Sequence, residues 1–214
     1  MTIVPQGGGR PVDPRIAFFD AQARDWDAHT PIGGENVLER LADLAELLLL
    51  SAGQDILEVG CGTGQITGWL AEQVHPGRVT AVDFSPAMIT AASAKRIDAD
   101  FHCKDACSDD FGLARHDVIL CFHSFPHFRD QREALRRLSR ALKPDGRLLI
   151  LHLAGSARIN EFHSTVDGPV RGDHLPQGGS WRSLMSQTNL RVNRLIDIDN
   201  LFFLEAVGVE SDLF

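Results

Sequence analysis

The segment Ile56-Leu57-Glu58-Val59-Gly60-Cys61-Gly62-Thr63-Gly64-Gln65 constrains this chain more than any other. A short apolar run that ends in glycines on alternate positions reads as a buried parallel strand entering a tight turn. Glycines there remove side chains, so a ligand can lie against the backbone while the next helix offers its free N–H groups. The spacing is G-x-G-x-G, and Gln65 stands where a dinucleotide fingerprint would carry its third glycine. A glycine turn alone narrows little. Two acidic strand ends narrow it further: Glu58 just before the turn, and Asp83 at the end of Arg78-Val-Thr-Ala-Val-Asp83. Asp83 follows the turn by roughly twenty residues, where a carboxylate can accept both hydroxyls of a ribose.

The rest of the chain alternates strand and helix patterns. Strands are expected over about 54–60, 77–83, 99–103, 116–122 and 146–153, and helices over about 14–25, 35–50 and 130–142. Leu38, Leu41, Leu44, Leu47 and Leu48 give the second helix its apolar face, and Leu135, Leu138 and Leu142 the third. Ser85-Pro86 opens another helix, with serine as the cap and proline in the first turn. Asp130 and Glu133 suggest a capping box, and Pro144 stops the helix that follows. Two final runs, about 190–198 and 200–208, lie too close for a helical crossover and should pair as an antiparallel hairpin. The expected fold is therefore α/β: a Rossmann-like, doubly wound seven-stranded sheet, mostly parallel with an antiparallel C-terminal strand. Ligands of such sheets sit outside the carboxyl ends of the strands. Residues 1–13 read as a flexible tail and 14–214 as one domain, with the helices of 14–50 forming part of a substrate cover.

Composition fits a single enzyme domain. A formal charge of −8 argues against a general nucleic-acid or anionic-membrane surface. Cys61, Cys103, Cys107 and Cys121 lack zinc-ribbon spacing and read as thiols in a reducing compartment. Leu47–Leu50 is too short to span a bilayer, and nothing near the N-terminus looks like a signal peptide. A cytoplasmic protein is expected.

With Lys104-Asp105-Ala106 after a short third strand, the chain resembles the class I S-adenosylmethionine-dependent methyltransferases, particularly small quinone-biosynthesis-like members. The resemblance runs from Phe18-Asp20 and Trp26-Asp27 through Leu142-Lys-Pro-Asp-Gly146. The family's usual wording of that last motif is L-K-P-G-G. Asp145 departs from it, with a residue that also suits a turn. The resemblance implies direct methyl displacement onto a small-molecule acceptor. It also implies that Gly60, Cys61, Gly62 and Gly64 line the methionine and ribose of S-adenosylmethionine, with Glu58 counted among the cofactor residues. Asp83 would hold the ribose hydroxyls, and Phe84 and Met88 would pack on the adenine. Asp105 would accept from the adenine amino group beside the Ala106 N–H, and Cys121 and Phe122 would contact the methionyl part.

The histidines individualise the sequence. His123 and His127 follow the fourth strand, His152 ends the fifth, and His163 lies in a short helix after it, ahead of Asp173-His174. By topology, most fall at the mouth where an acceptor meets the methyl group. Three readings stand side by side. The imidazoles are structural groups with hydrogen-bond partners; or His123, His127 or His152 is a general base; or His127, His152 and His163, with Asp173, hold a divalent metal such as zinc or iron at an open site. Trp26 is a candidate to lie over the cofactor. Arg15, Arg24 and Arg171 are candidates for a carboxylate, and Phe122, Phe125, Phe128 and Phe162 for an apolar substrate wall. The Gly- and Pro-bearing loop Val166–Gln177 reads as a lid. Two other functions share these features: a cofactor- or metal-binding protein of the same fold that transfers no methyl group, and a nicotinamide oxidoreductase. Gln65 and Asp105-Ala106 count against the second.

Overall fold

The computed structural model describes residues 13–28 and 36–209. Apart from Asp13, the expected N-terminal tail lies outside the described residues. Five strands run parallel: β1 (Ile56–Val59), β2 (Val79–Asp83), β3 (Asp100–Cys103), β4 (His116–Phe122) and β5 (Leu142–His152). Two more follow, β6 (Leu190–Ile198) and β7 (Leu201–Gly208). The order across the sheet is β3-β2-β1-β4-β5-β7-β6, and β7 is antiparallel to both of its neighbours. The C-terminal hairpin and the mostly parallel seven-stranded sheet are as expected.

Near-continuous aliphatic runs form the central strands because both faces of the sheet are covered. Leu57, Val59, Ile119, Cys121, Leu148 and Ile150 point into one buried cluster. Their neighbours Ile56, Val118, Leu120, Leu149 and Leu151 point into the other. The alternation follows from the two-residue period of a strand. Helices α4 (Thr67–Val74), α5 (Pro86–Ala94), α6 (Gln131–Ala141), α7 (Ser156–Thr165) and α8 (Ser180–Ser186) follow β1, β2, β4 and β5. Ser85 caps α5 as expected, its hydroxyl accepting from Met88 N at 3.1 Å. Asp130 caps α6 by accepting from Glu133 N at 2.9 Å. The reciprocal half of the expected box is replaced, because the Glu133 carboxylate pairs with Arg136 and Arg137.

Two local expectations are corrected. The helix expected over 35–50 is split into α2 (Val37–Asp43) and α3 (Ala45–Leu48). Leu44 leaves helical geometry at φ −94°, ψ 7°, and both Leu41 and Leu48 reach the core. The fifth strand begins at Leu142 rather than 146. Leu142 pairs with His116 before an irregularity shifts the register to Val118 opposite Arg147, so the turn residues Lys143–Gly146 lie within the strand's span. The first helix, α1 (Pro14–Gln22), is shorter than expected and is followed by a 3-10 turn at Trp26–Ala28.

The strand order reverses between β1 and β4. The segments that leave β1, β2, β3, β4 and β5 therefore open on one edge of the sheet, around the switch point.

Candidate active site

A cavity of about 470 Å³ occupies that edge. Its floor is the turn after β1. Gly60 sits at φ +76° and Gly62 at φ +55°, a left-handed region that glycine enters without strain. A Cβ on Gly60 would stand 2.3 Å from Ser124 Cβ, and one on Gly62 would stand 3.3 Å from Trp26 Nε1. The turn is thus a bare backbone cradle with Ser124 behind it and Trp26 against it. Ser124 Oγ donates to Val59 O at 2.6 Å and ties β4 to β1 there.

Asp83 lines the cavity and is buried. One carboxylate oxygen accepts from Gly62 N at 2.9 Å and the other from Ser85 N at 2.9 Å. Desolvation still dominates and pushes the Asp83 carboxyl up to about 6. Glu58 lies beneath the turn, accepting from Thr67 Oγ1 at 2.6 Å. Burial pushes it up to about 8; the Thr67 hydrogen bond opposes this and the Asp83 charge adds to it. Glu58, Gly60, Cys61, Gly62, Phe84, Met88, Asp105, Ala106 and Phe122 line the same cavity. Gly64 and Cys121 do not. Cys121 lies wholly within the core, and Gly64 faces Ile97, Ala92 and Thr67. The Asp105 carboxylate accepts from Cys107 N at 2.7 Å and Arg129 Nη1 at 2.6 Å, so it reaches the cavity already tethered.

The segment Asp13–Ala28 closes this end through polar ties to three of the surrounding loops. Asp20 Oδ1 accepts from Ser85 Oγ and from Ala87 N at 3.1 Å. Asp27 pairs with Lys95 at 2.6 Å and accepts from Thr63 Oγ1. Arg15 grips Asp173 with Nε at 3.0 Å and Nη2 at 2.5 Å. Arg15 is therefore spent on a protein carboxylate. Arg24 is exposed, and Arg171 stands on the surface near Asp167. None of these three expected arginines lines the cavity.

Four imidazoles gather at the β4–β5 end, and all of them line the cavity. They form two edge-to-face pairs: His123 with His152 at 5.1 Å, and His127 with His163 at 4.9 Å between ring centroids. His123 Nε2 accepts from Leu153 N at 3.3 Å, which commits its lone pair, and desolvation pushes it down to about 3. His127 Nδ1 lies 2.9 Å from Asp173 Oδ2. Burial would raise the Asp173 carboxyl, but its hydrogen bonds with His127 and Arg15 outweigh burial and hold it below the usual range. An ionised Asp173 accepts only, so Nδ1 of His127 donates to it and Nε2 is the ring nitrogen left for other partners. The metal reading of His127, His152, His163 and Asp173 gains no support from the placement of these side chains. Asp173 is consumed by Arg15 and His127, and among the described residues no three His, Cys, Asp or Glu side chains are placed to hold a metal ion.

Phe122, Phe128 and Phe162 form part of the cavity wall, whereas Phe125 is a core residue against Trp181. The sequence did not single out Ser124, Gln22, Arg129 or the Asp173–His127 pairing. Ser124, Arg129 and Asp173 act across the fold and so carry no local signal, while Gln22 lines the cavity with its amide donating to Phe18 O at 3.3 Å. The segment expected as a lid contributes Val166 and Val170 to the lining, and Asp173 ties it to α1 and to His127.

Residues 56–146 match a family model described as a methyltransferase domain. The O-methyltransferase rstn1 of Aspergillus nomiae is 30% identical over 185 residues, covering 80% of each chain. The malonyl-[acyl-carrier protein] O-methyltransferase of Acetivibrio thermocellus is 29% identical over 151 residues, 70% of this chain and 52% of that protein. The chain thus spans about half the length of that relative. A crystal structure of a SAM-dependent methyltransferase from Aquifex aeolicus superposes with a TM-score of 0.66 at 20% identity, covering 87% of this chain and 97% of the other. At that identity the likeness speaks for the fold. Among the described residues, no helix is long and apolar enough to cross a membrane.

Proposed function

The chain belongs to the class I S-adenosylmethionine-dependent methyltransferases, and from that premise we propose that it methylates a small molecule bound in the cavity above β4 and β5. The observation that carries this is the convergence of the bare Gly60–Gly62 backbone, the doubly anchored Asp83 and the Asp105–Ala106 turn on one cavity. A cradle that a Cβ would fill, beside a carboxylate held on two backbone amides, suits a nucleoside bearing an amino-acid tail.

In this reading Asp83 takes the ribose hydroxyls, and Phe84 and Met88 cover the adenine. Asp105 and Ala106 N–H address the adenine edge, and Gly60, Cys61, Gly62 and Phe122 flank the methionyl part. Gly64 and Cys121 act from behind, by shaping the turn and the strand ends, and Glu58 lines the cavity beneath the turn. When bound, S-adenosylmethionine supplies an electrophilic methyl carbon whose C–S electron pair stays with the departing neutral thioether. What remains for the protein is alignment, exclusion of water and removal of a proton. Phe122, Phe128 and Phe162 exclude water. His127 takes the proton on Nε2, because Asp173 fixes the opposite tautomer. His123, its lone pair committed to Leu153, is a structural group. Four free cysteines fit a cytoplasmic setting.

Titration calorimetry with S-adenosylmethionine, set against NADH, tests the cofactor assignment. Heat is expected with the first alone, and its absence would sink the reading. Transfer of a labelled methyl group to a panel of phenols, enols, thiols, amines and carboxylic acids then separates an enzyme from a non-catalytic binder.

A further inference from the structure

Nε2 of His152 and Nδ1 of His163 are buried and have no hydrogen-bond partner among the described residues. The two side chains are 2% and 5% exposed, and both line the cavity. Buried polar atoms are almost always paired, so an unpaired one at a cavity wall marks a place where a ligand completes the set. The roles assigned above use neither nitrogen.

The surroundings say what kind of ligand fits. Burial holds His152 well below its ordinary value, with neighbouring imidazoles adding to the effect, and brings His163 down to about 4. Both are neutral rings, each with one donor and one acceptor nitrogen. The cations that line the cavity are Lys104 and Arg129, and both serve the β3 end. Arg129 holds Asp105, and Lys104 Nζ donates to Asp110 O at 2.7 Å. At the histidine end Arg15 is held by Asp173, and Arg40 donates to the Leu153 and Asn200 carbonyls. Ile159, Phe162 and Val166 add apolar lining there. A carboxylate entering this end would lose its hydration and find the nearby guanidinium groups of Arg15 and Arg40 already engaged, a costly transfer. A hydroxyl can give one hydrogen and take one, so it suits either tautomer of a neutral imidazole.

Resting on the methyl-transfer reading, we infer that the acceptor docks at this end through uncharged hydroxyl groups that pair with Nε2 of His152 and Nδ1 of His163, its carbon body lying on the phenylalanine wall. The acceptor is then an apolar alcohol, phenol or enol rather than a carboxylic acid. A separate hydroxyl of the acceptor, facing His127, reacts: as its oxygen bonds to the methyl carbon, the C–S electron pair stays on sulfur and its proton passes to Nε2 of His127.

The test is binding, not turnover. Titrate 2,7-dihydroxynaphthalene and 2-naphthoate, of similar size, into the protein at pH 7.5, with and without S-adenosylhomocysteine. The diol is expected to bind at least about tenfold tighter than the carboxylate, the size of one well-made hydrogen bond. His152→Phe and His163→Phe, which fill the same space without the polar nitrogen, should each weaken the diol about tenfold and leave S-adenosylhomocysteine affinity unchanged. Equal or tighter binding of the carboxylate, binding of neither probe, or undiminished diol affinity in both variants would overturn the inference. The comparison of the two probes on the unaltered protein needs no variant to fold. Absence of heat with S-adenosylhomocysteine alone would count against the methyltransferase reading, while the diol-to-carboxylate ratio would still answer for the acceptor end.

Discussion

Asp83 and Gly62 are joined across 21 residues by a 2.9 Å hydrogen bond from the glycine N–H to the carboxylate, and the other oxygen of Asp83 holds Ser85 N. One side chain therefore locks the turn after β1 to the start of α5 and also faces the cavity. Asp83→Ala should weaken S-adenosylmethionine binding by roughly 1–3 kcal/mol through loss of charge-assisted hydrogen bonds. Unchanged affinity by calorimetry would refute the ribose assignment.

The same carboxylate makes cofactor binding depend on pH. Burial raises Asp83 from an ordinary 3.8 to about 6. Its contribution to stability is therefore fully present below the ordinary value and is lost as pH rises through 6. Hydroxyl donors favour the anion, so binding should release a proton between those values. Affinity is expected to rise from pH 5 to pH 7 and then level off. A flat profile over that window would argue that nothing donates to Asp83 in the complex.

Glu58 sits deeper and offers a cleaner stability test. Burial pushes it up to about 8 from 4.5, so the stability tied to its protonated form is lost as pH rises through 8. Glu58→Gln keeps the shape, retains an oxygen for the Thr67 hydroxyl and removes the charge. Melting at pH 5 should be little changed. At pH 9 the variant should melt higher, by roughly 2–4 °C for each kcal/mol relieved. A lower melting point at pH 9 would mean that the carboxylate stabilises the turn in its charged form.

These residues were readable in the sequence because each is marked by its own local pattern. Glu58, Gly60, Gly62, Asp83 and Asp105 each lie at a strand end, and short aliphatic runs announce those ends. β4 falls over His116–Phe122 as expected, since a charged segment bounds its apolar run on one side and polar His123-Ser124 on the other. The break at Leu44 was hidden because no glycine or proline marks it and the leucine spacing runs straight through it. The start of β5 was hidden because Leu142 joins the sheet by pairing with His116 across a register shift. The histidines could be placed at the mouth from topology, but spacing carries no information on where a ring nitrogen points. Asp173 meets Arg15 and His127 across 158 and 46 residues, and a pairing of that range leaves no mark in local spacing.

That pairing predicts a kinetic signature. His127→Ala should lower kcat by roughly 10²–10⁴, the usual range for a general base, with cofactor affinity nearly unchanged. The loss should shrink as pH rises or as the acceptor hydroxyl becomes more acidic, because an anionic nucleophile needs no base. Asp173→Asn should lower kcat less and should remove a stability term. That term is present above the ordinary carboxylate value and is lost as pH falls through the depressed one. A loss that appears in cofactor affinity instead, with kcat intact, would return His127 to a structural role.

The last relationship links the C-terminal hairpin to the acceptor end. Helix α7 carries His163, yet its N-cap residue is Gly155, which has no side chain to cap it. Asp197 of β6 fills the role from outside: Oδ1 accepts from Ser156 N at 2.8 Å and Oδ2 from Ser156 Oγ at 2.5 Å. A carboxylate at a helix N-terminus also complements its dipole. Asp197→Ala should cost about 1 kcal/mol, as loss of a cap does, which corresponds to a drop of roughly 2–4 °C in melting temperature. Because α7 positions His163 and Ile159 but no residue of the cofactor cradle, acceptor-probe affinity should fall while S-adenosylhomocysteine affinity holds. Asp197→Asn, which keeps an acceptor oxygen but not the charge, should recover part of both losses. Equal loss of cofactor and probe binding would mean that α7 and the cradle move as one unit, and that the two ends of the cavity are not separately built.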